Sequence, residues 1–123
     1  MILKLLTVVG ARPMRPNLRF TAPPGYLDMI RLSGSARVIL TDSGGLQKEA
    51  FWLGTPCITL RNETEWAETV ESGWNVLVGA DVERIQQAVG TLVPPALRPP
   101  LYGDGCTADR CVTLLEAAGP GPA

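Results

Sequence analysis

Short, continuous apolar runs recur along the chain, separated by polar and glycine-containing stretches. Runs of this kind are typical of strands in a parallel sheet that is covered on both faces. Four of them predict strands, at Leu5–Val9, Arg37–Thr41, Cys57–Leu60 and Asn75–Val78. A fifth run, Leu18–Thr21, is a weaker candidate because Arg19 interrupts it and two prolines follow it.

Helical segments separate most of these strands. Apolar residues in Val82–Leu92 recur at helical spacing, and Asp81 is well placed as the N-cap of that helix. Gly54 and Gly73 each follow a helical run, where a left-handed C-cap residue is favoured. The alternation of strands and helices predicts an α/β fold, a Rossmann-like doubly wound parallel sheet. The predicted helices are Tyr26–Leu32, Leu46–Leu53, Trp66–Ser72, Val82–Leu92 and Ala108–Glu116.

Composition adds limits on function. The 123 residues are 46% hydrophobic with a net charge of -1, which predicts a globular protein with no electrostatic reason to bind nucleic acid or a membrane. Three cysteines and no histidine argue against a disulfide framework or a zinc site, so we expect no cofactor. Cys57 is interpreted as a small buried hydrophobe. No cleavage pattern follows Met1–Val9, and the cytoplasm is the expected compartment.

The loop after the second predicted strand has the features of an anion site. Asp42 and Ser43 lead through two glycines straight into a helix that is predicted to begin near Leu46. Backbone N–H groups at such a helix N-terminus suit a phosphate or diphosphate, with the Ser43 hydroxyl as an extra donor. Glu49, further along the helix, could accept hydrogen bonds from a ribose diol. The same residues also fit a plain strand-to-helix turn with a solvated Glu49, and both interpretations stay open.

A second loop, Arg61–Trp66, follows the next predicted strand. Because ligands of open α/β sheets bind beyond the carboxyl ends of the strands, Arg61 and Glu65 are expected at the same edge as Ser43. Arg61 could offer a two-pronged contact to phosphate or orient a neighbouring carboxylate. The alternative is a surface Arg–Glu pair of little energetic weight.

Four segments carry a resemblance to a known family. "TDSGGLQKEAFWLGTPCITLRNETEW" and the later "ETVESGWNVLVG" are similar to the C-terminal domain signature of the non-hydrolysing UDP-N-acetylglucosamine 2-epimerases. "LKLLTVVGARP" resembles the first strand and loop of that family's N-terminal domain, and "YGDG" the motif before its last helix. The resemblance covers Leu3–Pro13 and most of Asn17–Glu116.

The resemblance implies two Rossmann-like domains in a glycosyltransferase-B architecture, of which this chain holds a partial C-terminal half. It implies interconversion of UDP-GlcNAc and UDP-ManNAc, in which a base removes the proton at C2 while UDP leaves from C1 and later returns. It places the diphosphate at Ser43–Gly45, the ribose at Glu49, the uracil near the backbone of Met29, and Arg12 at the phosphates from the other domain. With the second loop, the candidate UDP-binding residues are Arg12, Met29, Ser43, Gly44, Gly45, Glu49, Arg61 and Glu65.

Two departures from the family pattern change the expectation. Trp66 stands where many members have an arginine, and the family's acidic catalytic residues and histidine belong to the segment that should separate Pro13 from Asn17. We therefore predict a large internal deletion at that junction and assign no catalytic residue. The predicted domains are a remnant of the N-terminal domain at 1–13, a partial UDP-binding domain at 17–116 and a flexible tail at 117–123.

Three functional hypotheses follow. The first is an epimerase-family chain that keeps mainly the UDP-binding part and is inactive alone. The second is a nucleotide-sugar binding or interaction module that docks on an intact epimerase subunit, and the third is a degenerate gene product without activity. The expected partners are UDP or a UDP-sugar and either a second copy in a homodimer or an intact epimerase subunit. Trp52 and Trp74 are interpreted as packing residues, with stacking on uracil as the alternative.

Overall fold

The computed structural model describes residues 17–119 and shows a parallel sheet with helices on both faces. Within these residues the sheet has three strands in the order β1-β2-β3, joined in a register that aligns Leu40 with Ile58 and Ile58 with Val76. The elements in chain order are α1 Tyr26–Ser35, β1 Ile39–Thr41, α2 Gly44–Leu53, β2 Cys57–Thr59, α3 Ala67–Glu71, β3 Asn75–Leu77, α4 Val82–Thr91 and α5 Thr107–Ala118. No helix in 17–119 is long and apolar enough to cross a membrane.

Two apolar clusters fill the two faces of the sheet. Alternate residues of a strand point to opposite faces, so neighbours in β2 enter different clusters. Cys57 packs with Ala50 of α2, whereas Ile58 packs with Val78 and with Ala88 of α4. Helix cover on both faces confirms the predicted α/β fold and doubly wound sheet.

A buried polar network lies between the sheet and the helices α2 and α3. Thr59 donates to Asn75 Oδ1 (2.7 Å), and Asn75 Nδ2 donates to Gln47 Oε1 (3.1 Å) and to Thr69 Oγ1 (3.1 Å). All four side chains are buried. Because buried polar groups are stable only when they are paired, this network fixes how α2 and α3 sit against β2 and β3.

Local capping signals act as the sequence predicts. Asp81 caps α4 by accepting from the N–H of Arg84 (3.0 Å). Gly54 ends α2 at φ 73°, and Gly73 follows α3 at φ 76°, both in the left-handed region that glycine adopts without strain.

Some sequence predictions are wrong, and others concern residues that the structure does not describe. Leu18–Thr21 forms no strand, because it pairs with none of the three strands and Leu18 and Phe20 are 47% and 52% exposed. Helix α5 continues through Ala118, so the first two residues of the predicted tail are helical. The strand Leu5–Val9, Arg12 and the junction from Pro13 to Pro16 lie outside the described residues, and the domain boundaries stay a prediction.

Candidate functional site

The loop between β1 and α2 is held in shape by its own polar groups. The N–H of Ser43 donates to Thr41 Oγ1 (3.0 Å), and Ser43 Oγ accepts from the N–H of Leu46 (3.4 Å) as the N-cap of α2. The sequence predicted Ser43 as a ligand donor; the structure adds that its oxygen caps the helix, which leaves its O–H proton available. Ser43 is exposed and therefore open to a ligand.

The two glycines that begin α2 present unpaired backbone donors. Within residues 17–119, no acceptor pairs with the N–H of Gly44 or Gly45. Such N–H groups, together with the positive end of a ten-residue helix, favour an anion in this position. The helix begins at Gly44, two residues before the predicted start, so both glycines belong to its first turn.

The second loop meets the first at Gly44. An ideal Cβ placed on Gly44 would stand 3.4 Å from Glu65 Oε2 and 3.4 Å from Trp66 Nε1. The geometry therefore brings Ser43, Gly44 and Glu65 to one edge of the sheet, as the carboxyl ends of parallel strands require.

Arg61 and Glu65 form a two-pronged ion pair. Arg61 Nη1 and Nη2 donate to the two carboxylate oxygens of Glu65 at 3.1 and 3.0 Å. The hydrogen bonds from Arg61 lower the pKa of the Glu65 carboxyl, and the same contact raises the pKa of Arg61. Glu65 is consequently a weak base, and Arg61 offsets its negative charge beside Gly44.

Glu49 and Met29 lie in helices and not in either of the two loops. Glu49 is half-buried in α2, and within the described residues its carboxylate makes no hydrogen bond and no ion pair. Met29 is half-buried in α1, which packs on α2, and its N–H donates to Gly25 O (2.9 Å). The backbone N–H of Met29 is therefore occupied within α1, and the predicted contact with uracil stays a prediction.

Sequence reasoning missed a cation–aromatic cluster beside the loops, which we call the Lys48 cluster and define as Lys48, Trp66 and Tyr102. Lys48 Nζ lies 4.4 Å from the centre of the Trp66 ring and 4.6 Å from that of Tyr102. Trp52, interpreted from sequence as packing, is 54% exposed and lies 5.3 Å from Lys48 Nζ, while Trp74 is buried as expected. Only the "YGDG" motif pointed to Tyr102, and no sequence signal linked it to Lys48.

The site as described is suited to binding an anion. It offers N–H donors, one guanidinium and carboxylates, and the protein contains no histidine. No group of three histidine, cysteine, aspartate or glutamate side chains in 17–119 is arranged to hold a metal ion.

Comparison with known proteins finds one family. Residues 4–116 match the sequence model described as UDP-N-acetylglucosamine 2-epimerase. A UDP-N-acetylglucosamine 2-epimerase homolog of Methanococcus maripaludis is 55% identical over 101 residues, which are 81% of this chain and 28% of that protein. The UDP-2,3-diacetamido-2,3-dideoxy-D-glucuronate 2-epimerase of Pseudomonas aeruginosa is 45% identical over 88% of this chain and 31% of its own length.

Solved structures agree with this result. The UDP-GlcNAc 2-epimerase of Methanocaldococcus jannaschii, in complex with UDP-GlcNAc and UDP, superposes with a TM-score of 0.71 at 44% identity. The match covers 79% of this chain and 27% of that one. The chain thus spans less than a third of the length of these relatives.

Proposed function

The chain belongs to the UDP-N-acetylglucosamine 2-epimerase family, and from that premise we propose that it supplies the UDP-binding part of such an enzyme. The observation that carries the proposal is the first turn of α2. There, Gly44 and Gly45 present unpaired N–H groups beside the exposed Ser43 hydroxyl. A diphosphate is the part of a UDP-sugar that these donors suit.

Six of the eight candidate residues take a role in this proposal. Ser43–Gly45 bind the diphosphate, and Arg61 adds positive charge beside it while holding Glu65. Glu49 binds the ribose, since its carboxylate has no other partner in 17–119 and lies on the helix that starts at the diphosphate loop. Arg12 and Met29, expected at the phosphates and the uracil, stay predictions.

We propose further that the chain alone does not epimerise UDP-GlcNAc. Removing the proton at C2 needs a base of suitable pKa, and Glu65, the carboxylate nearest Gly44, has a lowered pKa. Pairing with an intact epimerase subunit is the way in which this part could serve catalysis, and homodimer formation stays a prediction. The expected cytoplasmic location also stays a prediction.

Calorimetric titration with UDP tests the binding role. We expect saturable binding that weakens at least about tenfold in Ser43→Ala and in Glu49→Ala, since hydrogen bonds to charged groups contribute about 1.5–3 kcal/mol. Glu83→Ala, an exposed carboxylate of α4, is the matched control and should leave affinity unchanged. Equal affinity for UDP in all variants would show that neither Ser43 nor Glu49 contacts UDP.

Incubation with UDP-GlcNAc, followed by proton NMR, tests the catalytic part of the proposal. The expected spectrum shows no C2-epimer after prolonged incubation, whereas a full-length relative under the same conditions produces it. Turnover by this chain at a rate comparable to that relative would contradict the proposal.

A further inference from the structure

A feature that family membership does not explain is the indole N–H of Trp66 at the diphosphate loop. Trp66 Nε1 stands 3.4 Å from the position a Cβ on Gly44 would take, and within residues 17–119 it donates to no acceptor. Indole nitrogen is a donor only, so it suits an anion and not a cation. The unpaired donors of Gly44 and Gly45 lie at the same place.

The backbone of Trp66 is fixed by hydrogen bonds on both sides. Its N–H donates to Thr64 Oγ1 (3.1 Å), and Thr64 Oγ1 donates to Oε1 of the buried Gln47 (2.6 Å). Its carbonyl accepts from the side chain and the N–H of Thr69 (2.7 and 3.0 Å). Through Gln47, these bonds join the loop to the buried polar network under α2.

The ring of Trp66 is held by the other two members of the Lys48 cluster, Lys48 and Tyr102. Lys48 Nζ lies over the Trp66 ring, and Tyr102 meets the same ring edge to face, with centroids 6.0 Å apart. The Tyr102 hydroxyl is buried without a hydrogen-bond partner in the described residues, and burial raises the pKa of its phenol well above the usual range. Tyr102 therefore acts through its ring, which holds Trp66 in one orientation.

Charge at the loop is compatible with this role. The carboxylate of Glu65 reaches Gly44 as closely as the indole does, and alone it would repel a diphosphate. Its two hydrogen bonds from Arg61 offset that charge, so the indole N–H joins the N–H groups of Gly44 and Gly45 as an unpaired donor at this place.

We propose that Trp66 is a further ligand contact, whose Nε1–H donates to the diphosphate, and that Lys48 and Tyr102 are its positioning residues. The proposal rests on the proposed UDP-binding function and deepens it. It also assigns a task to "YGDG": this segment holds a ring of the binding loop in place from a distant part of the chain.

Calorimetric titration of ring-preserving variants tests the contact. Trp66→Phe keeps an aromatic face for Lys48 and removes the N–H, so we expect UDP affinity to fall roughly tenfold. Uridine, which has no phosphate, should show no such loss. Trp52→Phe is the matched control, because its exposed ring also lies near Lys48 while its N–H is not at Gly44.

A second pair of variants tests the positioning. Tyr102→Leu should weaken UDP binding and shift tryptophan fluorescence, whereas Tyr102→Phe should restore both because it keeps the ring. Lys48→Met is measured as well, and it should weaken UDP binding even if Tyr102→Leu does not fold.

The outcomes separate the two proposals. If the unaltered chain does not bind UDP, the proposed function fails. If it binds UDP and Trp66→Phe binds as tightly, the inference about Trp66 is overturned while the proposed function stands. Equal affinity in Lys48→Met, or loss of affinity in Tyr102→Phe equal to that in Tyr102→Leu, would overturn the positioning roles.

Discussion

Cys57 shows how burial decides the chemistry of a single side chain. Lying in β2 against Ala50, it has its pKa raised to about 11 by burial, whereas Cys106 and Cys111 are exposed. With Ellman's reagent at pH 8 we expect two thiols to react rapidly in the native protein and the third only after unfolding. Rapid reaction of all three would contradict the buried position of Cys57.

The same shift predicts a pH dependence of stability. The folded state holds the Cys57 proton more tightly than the unfolded chain, in which a thiol titrates near pH 8.5. The associated stabilisation is complete below that pH and is lost as the pH rises from about 8.5 to about 11. Urea unfolding of Cys57→Ala should show a smaller loss of stability over this range than the unaltered chain.

Stability that depends on Glu65 changes with pH in the opposite direction to that of Cys57. Hydrogen bonds from Arg61 lower the pKa of Glu65 in the folded state, so any stability that the pair contributes is present above the unfolded pKa of about 4.3 and is lost as pH falls through the folded pKa. Carbon-detected NMR titration should place the Glu65 carboxyl below its ordinary value, and Arg61→Met should raise it. An unchanged titration curve in Arg61→Met would show that the ion pair does not form in solution.

At the scale of elements, the buried network predicts a large effect from one polar residue. Asn75→Ala would remove the hydrogen bonds of Asn75 with Thr59, Gln47 and Thr69, and it would leave the buried Thr59 hydroxyl without its oxygen acceptor. A buried polar group left unpaired costs about 1–3 kcal/mol. Urea unfolding should therefore show a clear fall in the free energy of unfolding. Asn62→Ala, at an exposed position, is the control and should change it by less than about 0.5 kcal/mol.

The elements themselves were predictable because their signals are local. Apolar runs mark the three strands, helical spacing marks α4, and Asp81 and Gly54 mark helix ends by chemistry that needs no distant partner. The prediction of a strand at Leu18–Thr21 is wrong because it also rested on a local signal. Its apolar residues resemble a strand, but no neighbouring strand pairs with them.

The candidate site was predictable only in part. The loop at Ser43 and the loop at Arg61 follow neighbouring parallel strands, so topology alone brings them together. The Lys48 cluster joins α2 to Tyr102, more than fifty positions away, and no periodicity or spacing encodes such a contact. The sequence marked Trp66 as a departure from the family pattern. It could not predict the unpaired indole N–H, because the orientation of the ring depends on that cluster.

At the scale of the whole molecule, the described residues form a three-stranded parallel sheet with its helices, and the chain spans less than a third of the length of its relatives. Helix α5 is exposed along its length, with Leu114 and Leu115 at 70% and 72% exposure. The predicted deletion between Pro13 and Asn17, and the remnant domain before it, depend on residues that the structure does not describe. The central proposal therefore concerns 17–119, and it is that this part binds UDP at the start of α2.

Nitrogen–proton correlation NMR during a titration with UDP tests that claim most directly. We predict saturable shifts that are largest at the amides of Gly44, Gly45 and Leu46, with smaller shifts at the Trp66 indole. The same concentrations of uridine should leave the glycine amides nearly unmoved. Absence of saturable shifts at these glycines, or larger shifts in α4 or α5 than in the first turn of α2, would contradict the account.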